Sequence, residues 1–284
     1  MVNNRRGQLT IFVIIGIVIV LSIVGYFVVK SIGDDEPFDG GVKELKSSIV
    51  REELLECFDE VYEDSLDLVG IQGGYYNEPY MNYEMRDGYV FVPYYKDSSG
   101  VFLPSIGGIE DELEVSVDSS LKYCFRDIVL DYPEFDFYVS EHSTTVLIEE
   151  GGVSFVTLVN VGVVFEGVTS LFEFDEEKIV ESDLKGMHAT SDYYIYMISM
   201  YDGDIPADGL VEKALEEGVS IEITNYKDGV LMVSVFAENE QSHPKMYNFL
   251  DMPNDVESEE VFEIGEISEG DSEFNVTDFD GGFI

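Results

Sequence analysis

Apolar positions run from Leu9 to Val29 without a single charge, interrupted only by Thr10, Gly16, Ser22 and Gly25. At about 1.5 Å per residue a helix of this length measures about 30 Å, the thickness of a bilayer's hydrocarbon core. A secretory leader has a shorter apolar region closed by small residues. Here Lys30 leads instead into the acidic, Gly- and Pro-containing stretch SIGDDEPFDGG. The pattern therefore predicts a transmembrane helix over residues 9–29, a short N-terminus over 1–8 and a linker over 30–41.

Past the linker the period changes. Val50, Leu54, Cys57, Val61, Ser65 and Leu68 recur at spacings of three and four, the stripe of an amphipathic helix, which Gly70 can end. Ile109, Leu113, Val117, Leu121, Phe125 and Ile128 repeat the pattern and predict a second helix. Between them lies a Gly- and Tyr-rich stretch. Asp87-Gly88 is a hairpin dipeptide, and Tyr89 to Tyr95 has strand composition closed by Pro93. Two β-rich runs flank Gly151-Gly152, and two more flank Asp228-Gly229. Leu184, Met187, Tyr194, Ile198 and Tyr201 have helical spacing but β-rich composition, so the period leaves helix and strand both open. Asp208 can N-cap a short helix that Gly218 ends. Helices and hairpins alternate without βαβ units, which predicts an α+β body with antiparallel sheets over residues 42–250 and a sub-boundary near 130–140.

Charge then sets the environment. Lys and Arg number 15 against 59 Asp and Glu, for a net charge of −44. Residues 1–30 hold Arg5, Arg6 and Lys30 and no acid, so the remainder carries 12 basic residues and −47. Basic residues before the span and acids after it orient the N-terminus to the cytoplasm and the body outside. In molar salt the Debye length falls to about 3 Å, and a uniformly acidic surface becomes tolerable. The expectation is adaptation to high salt. Nucleic acid is excluded as a partner, because a phosphate backbone needs a basic face. The expected partners are the lipid bilayer and other envelope or cell-surface proteins or glycans. From Asp251 to Ile284 there are twelve acids and no base, which predicts a disordered tail.

The start RRGQLTIF resembles the processing site of archaeal type IV pilin precursors, with cleavage between Gly7 and Gln8 as its implication. Thr10 and Phe12 stand where that pattern has Ser and an acid. Gly33, Pro37, Gly40 and Gly41 also interrupt the helix that a pilin runs straight into its head, so a plain anchor is preferred to a pilin-like filament subunit. The order CFDEVYEDSLDLVGIQGGYY, VPYY, LPSIGGIEDEL and LKYCF resembles single-pass membrane proteins of small-genome archaea of the woesearchaeal and nanohaloarchaeal kind, over residues 1 to about 130. That resemblance implies an archaeal cell surface and no particular activity.

Candidate chemistry is sparse. Cys57 and Cys124 form an even pair in a compartment that permits a disulfide, so bonding is expected, with two buried thiols as the alternative. His142, His188 and His243 are far apart and fit no catalytic motif, so no catalytic residue and no cofactor is assigned. Asp202, Asp204 and Asp208 in YDGDIPADG are a weak oxygen-ligand set for a hard cation that departs from the EF-hand pattern. Asn275 is the single N-glycosylation acceptor. Tyr75, Tyr76, Tyr80, Tyr83, Tyr89, Tyr94 and Tyr95 crowd one region and form the candidate recognition patch for glycans or proteins, with strand and turn packing as the competing reading. A hydrolase without a recognisable motif is the remaining class.

Overall fold

A computed structural model describes residues 38–86, 88–175, 177–201, 207–227 and 229–252. The predicted transmembrane helix, the Gly7–Gln8 processing site and Asn275 lie outside these residues. Among the described residues no helix is long and apolar enough to cross a membrane.

In chain order the elements are α1 (Phe38–Ile71), β1 (Tyr83–Arg86), β2 (Val90–Asp97), β3 (Gly100–Val101), α2 (Ile106–Asp131), β4 (Asp136–Val139), β5 (Ser143–Glu149), β6 (Gly152–Phe165), β7 (Val168–Phe174), β8 (Glu177–Glu181), α3 (Leu184–Met200), α4 (Ala207–Glu216), β9 (Val219–Lys227), β10 (Val230–Ala237) and β11 (Met246–Asp251). The class is α+β with one mixed and one antiparallel-rich sheet. The described residues form two compact units, one built from residues 38–64, 114–146 and 155–178, the other from 65–113, 147–154 and 179–252. The division is thus interleaved rather than a single boundary near 130–140, because α1, α2, β5, β6 and β8 each carry residues of both units.

In the first unit the α1 stripe buries Val50, Leu54, Phe58, Val61 and Tyr62. The true stripe is turned slightly from the expected one, so that Phe58 rather than Cys57 points inward. Phe58 meets Phe125 edge-on at 5.9 Å and Phe174 at 5.2 Å, and Tyr62 stacks on Phe155 at 4.6 Å. The buried Tyr62 hydroxyl donates to Thr157 Oγ1 at 2.8 Å, which leaves that polar atom satisfied. The Cys57 and Cys124 Cα atoms are 5.9 Å apart and their side chains form a disulfide across α1 and α2. β6 is the spine of this sheet, pairing with β4, β5, β7 and β8. β5 stands at an edge, and its backbone is not left open: Glu114 Oε1 accepts the Val146 N–H at 3.1 Å.

In the second unit the sheet order is β1-β2-β11-β10-β9, with β3 on β2. β11 and β2 are parallel and meet only from Tyr94 onward. That register explains how Pro93 fits inside β2 instead of ending it: its missing N–H falls before the pairing with β11 begins. Gly88 and Gly229, at φ +81° and +71°, supply the left-handed residues of the β1–β2 and β9–β10 hairpins. The segment from Leu184 resolves as helix α3, which buries Leu184, Met187, Tyr194 and Ile198 and packs on β10 and β11. Its composition is β-rich, but the helical period brings Tyr194 onto the buried face while Tyr196 stays exposed. Ser105 caps α2, with its Oγ accepting the Gly108 N–H at 3.1 Å.

Three boundaries differ from expectation. Helix α1 already includes Phe38 to Gly41, so the linker does not extend to 41. Asp208 sits inside the first turn of α4 rather than before it. Asp251 does not begin a tail: it ends β11, is 1% exposed, and takes a 2.9 Å hydrogen bond from the Tyr194 hydroxyl. Burial raises the Asp251 pKa above the usual carboxylate value, against the opposing pull of that hydrogen bond and of the Lys96 ammonium. Ile148, in the part of β5 that belongs to this unit, donates its N–H to Glu110 Oε1 at 2.8 Å.

Candidate functional site

Helix α1 stops because Gly73 and Gly74 take φ values of +59° and +81°. A side chain at Gly73 would meet the Asn248 carbonyl oxygen at 2.5 Å and Pro93 Cγ at 2.8 Å, so the turn presses directly on the second unit's sheet. The Tyr95 hydroxyl donates to the Gly73 carbonyl at 2.7 Å, and the buried Gln72 amide donates to the Tyr75 carbonyl at 2.9 Å. Together they fix where the chain leaves the helix and begins the 75–82 loop.

That loop forms one wall of a hollow of about 840 Å³, with Tyr75, Glu78, Tyr80 and Asn82 on it. Asp97 and Ser99 at the β2–β3 turn, Phe102 beyond it and Glu112 on α2 complete the lining. The size is that of a small-ligand site. Glu112 Oε2 anchors the loop, accepting the backbone N–H groups of Tyr76 and Asn77 at 3.0 Å each and the Asn77 Nδ2 at 3.1 Å. The Tyr75 hydroxyl donates to the Phe102 carbonyl at 3.1 Å. Burial, helped by the Glu112 charge, pushes the Tyr75 pKa up to about 12, so the phenol stays protonated.

Asp97 holds the opposite wall. Its Oδ1 accepts the Ser99 N–H at 2.7 Å and the Ser99 hydroxyl, and its Oδ2 accepts from Asn82 Nδ2 at 2.6 Å. Burial alone would raise its pKa. The hydrogen bonds from Ser99, Asn82 and the Gly100 N–H prevail and hold it below the usual value. Tyr80 projects fully exposed at the rim. The Tyr83 hydroxyl donates to Glu78 Oε2 at 2.7 Å.

The tyrosine patch read from the sequence therefore divides. Tyr75 and Tyr80 line the hollow, while Tyr76 and Tyr83 brace it through a backbone N–H and through Glu78. Tyr89 is exposed on the β1–β2 connection. Tyr94 and Tyr95 are not surface residues: they are 3% and 0% exposed, because β2 is flanked by strands on both sides and covered on both faces. Tyr95 stacks on Phe249 at 4.3 Å, and Tyr94 sits in a small cluster with Val92, Val230 and Leu250. Glu112, Asp97, Asn82 and Phe102 escaped sequence reading. Only the turn composition of DSSG around Asp97 hinted at one of them.

Asp202 and Asp204 lie outside the described residues, and among the described residues no group of three His, Cys, Asp or Glu side chains is placed to hold a metal. The histidines are separately engaged: His142 Nε2 on the Asp118 carbonyl at 3.0 Å, His188 Nε2 on the Pro104 carbonyl at 2.7 Å, and His243 Nδ1 on Asp67 at 3.0 Å. Comparison with known proteins finds no matching family model, no matching curated protein and no matching solved structure.

Proposed function

We propose that this chain is a membrane-anchored, extracytoplasmic recognition protein of an archaeal cell surface adapted to high salt, which engages another envelope component through the tyrosine-lined hollow. The hollow carries the reading: a depression of about 840 Å³ with an exposed aromatic at its rim and braced walls suits binding. The apolar run at 9–29 and the Arg5-Arg6 pair before it support the anchor and its orientation. The Cys57–Cys124 disulfide supports an oxidising compartment. A pilin-like subunit cut after Gly7 is a second reading, favoured by one observation: α1 runs unbroken through Gly40 and Gly41 to Ile71, as a stalk entering a head would.

The test is capture of envelope components by the full-length chain in detergent at molar salt, comparing wild type with Tyr80→Ser. Tyr80 touches solvent on all sides, so the substitution leaves the fold intact. Loss of captured material in the variant is expected. Equal capture by both would remove the hollow from the function.

A further inference from the structure

We infer that the hollow binds a guanidinium group, presented as an arginine side chain by a partner protein. The inference rests on the recognition reading above and names its ligand.

The side-chain donors of the lining are already engaged within it. Tyr75, Asn77, Asn82 and Ser99 are its side-chain donors away from the rim, and each directs a donor at an internal acceptor: the Phe102 carbonyl, Glu112 Oε2, Asp97 Oδ2 and Asp97 Oδ1 respectively. The acceptors are not exhausted. Glu112 uses Oε2 for all three of its hydrogen bonds, and Glu78 uses Oε2 for Tyr83. The Oε1 atoms of both carboxylates have no partner among the described residues. A ligand entering this space therefore meets free side-chain acceptors and few free side-chain donors, and no Lys, Arg or His lines the hollow. A sugar hydroxyl, which donates and accepts together, matches this poorly.

A cation rich in N–H donors matches it well. The aromatic faces of Tyr75, Tyr80 and Phe102 add the second half of the recognition, since a cation is drawn to a ring face. Guanidinium is preferred to ammonium on two grounds. Its planar fork of N–H groups donates to several carboxylate oxygens at once, while its face stacks on a ring. It is also weakly hydrated, so entering a partly apolar hollow costs it less than it costs a lysine.

A net charge of −44 attracts any cation loosely, and the experiment has to separate that background from a site. Full-length protein in detergent at 1 M salt is titrated by calorimetry with an extended arginine-containing peptide, with its citrulline counterpart, which keeps the shape and loses the charge, with N-acetyl-arginine amide, and with methyl glycosides. The expected result is saturable binding of the arginine peptide, at least tenfold weaker for the citrulline peptide and weaker for the free amide. Glu78→Gln and Tyr80→Ser should each weaken the arginine peptide at least fivefold at an unchanged melting temperature. Glu78→Gln alters the net charge by one unit in 44, so loose attraction would hardly respond. Equal binding of the citrulline and arginine peptides, preference for a glycoside, or indifference to Glu78→Gln overturns the guanidinium. Equal affinity of peptide and free amide overturns the protein-borne source. If envelope capture still depends on Tyr80 while the arginine peptide fails to bind, the recognition reading stands and this inference falls. If capture is indifferent to Tyr80, both fall.

Discussion

Replacing both Cys57 and Cys124 by alanine removes a cross-link between residues 67 positions apart. In the chain-entropy description, closing a loop of that length removes enough freedom from the unfolded chain to stabilise the fold by about 4 kcal/mol. Loss of the two sulfurs adds little at Cys57, which is half-buried. Cys124 is 2% exposed, so its truncation contributes a further increment of up to about 1 kcal/mol. Alanine is the cleaner choice, because serine at 124 would bury a hydroxyl without a partner. The chain has two compact units and no Trp, so a single fluorescence transition would not report the effect. Native-state hydrogen exchange read by mass spectrometry resolves it. Peptides covering 50–64 and 117–130 should lose protection equivalent to about 4 kcal/mol, and α3 peptides of the second unit provide the internal reference. A loss below about 1 kcal/mol in the first-unit peptides, or two thiols titrating in the non-reduced wild type, would refute the reasoning.

Further outcomes follow from the same contacts. The folded Asp251 pKa is raised, so the cost of keeping it ionised is fully present above that pKa and fades as pH falls toward the unfolded value. Asp251→Asn, which can still accept from Tyr194, should therefore stabilise the protein at neutral pH and lose that advantage under acid; urea midpoints across pH measure this, and a pH-independent difference contradicts it. Gly88 and Gly73 both have positive φ, but a Cβ at Gly88 meets open space, whereas one at Gly73 strikes Asn248 and Pro93. Alanine should cost about 1 kcal/mol at Gly88 and at least twice that at Gly73; equal melting shifts would show that the turn does not press on the sheet. Removing salt from the full-length protein should unfold it through self-repulsion of its 59 acidic residues, and unchanged circular dichroism on desalting would argue against adaptation to brine.

The helices were legible in the sequence because their apolar residues recur at three and four, as Val50, Leu54 and Val61 or Ile109, Leu113 and Val117 do. The hairpins were legible where a glycine supplied positive φ, at Gly88, Gly151 and Gly229. Strand β11 was not: Asp251 counted toward the acidic tail, and the Tyr194 hydroxyl and the burial between β2 and β10 that hold it come from residues distant in sequence. The hollow was half legible. Tyr75 and Tyr80 announced themselves by composition, but Glu112 reaches the loop from 35 residues away and one acid among 59 carries no local mark. Tyr94 and Tyr95 misled for a related reason: whether a strand is central or peripheral is decided by its neighbours in space, not by its own residues.

The two glutamates on α2 that occupy outward N–H groups of β5 have a consequence for crowding. Charge repulsion keeps such acidic molecules apart in dilute buffer, but concentrated ions erase it at short range. An unprotected strand margin would then recruit the margin of a neighbouring molecule and seed ribbons. With Val146 and Ile148 already tied to carboxylates, two N–H groups along β5 are withdrawn from such pairing, so this margin offers a neighbour less to template on once the charge is screened.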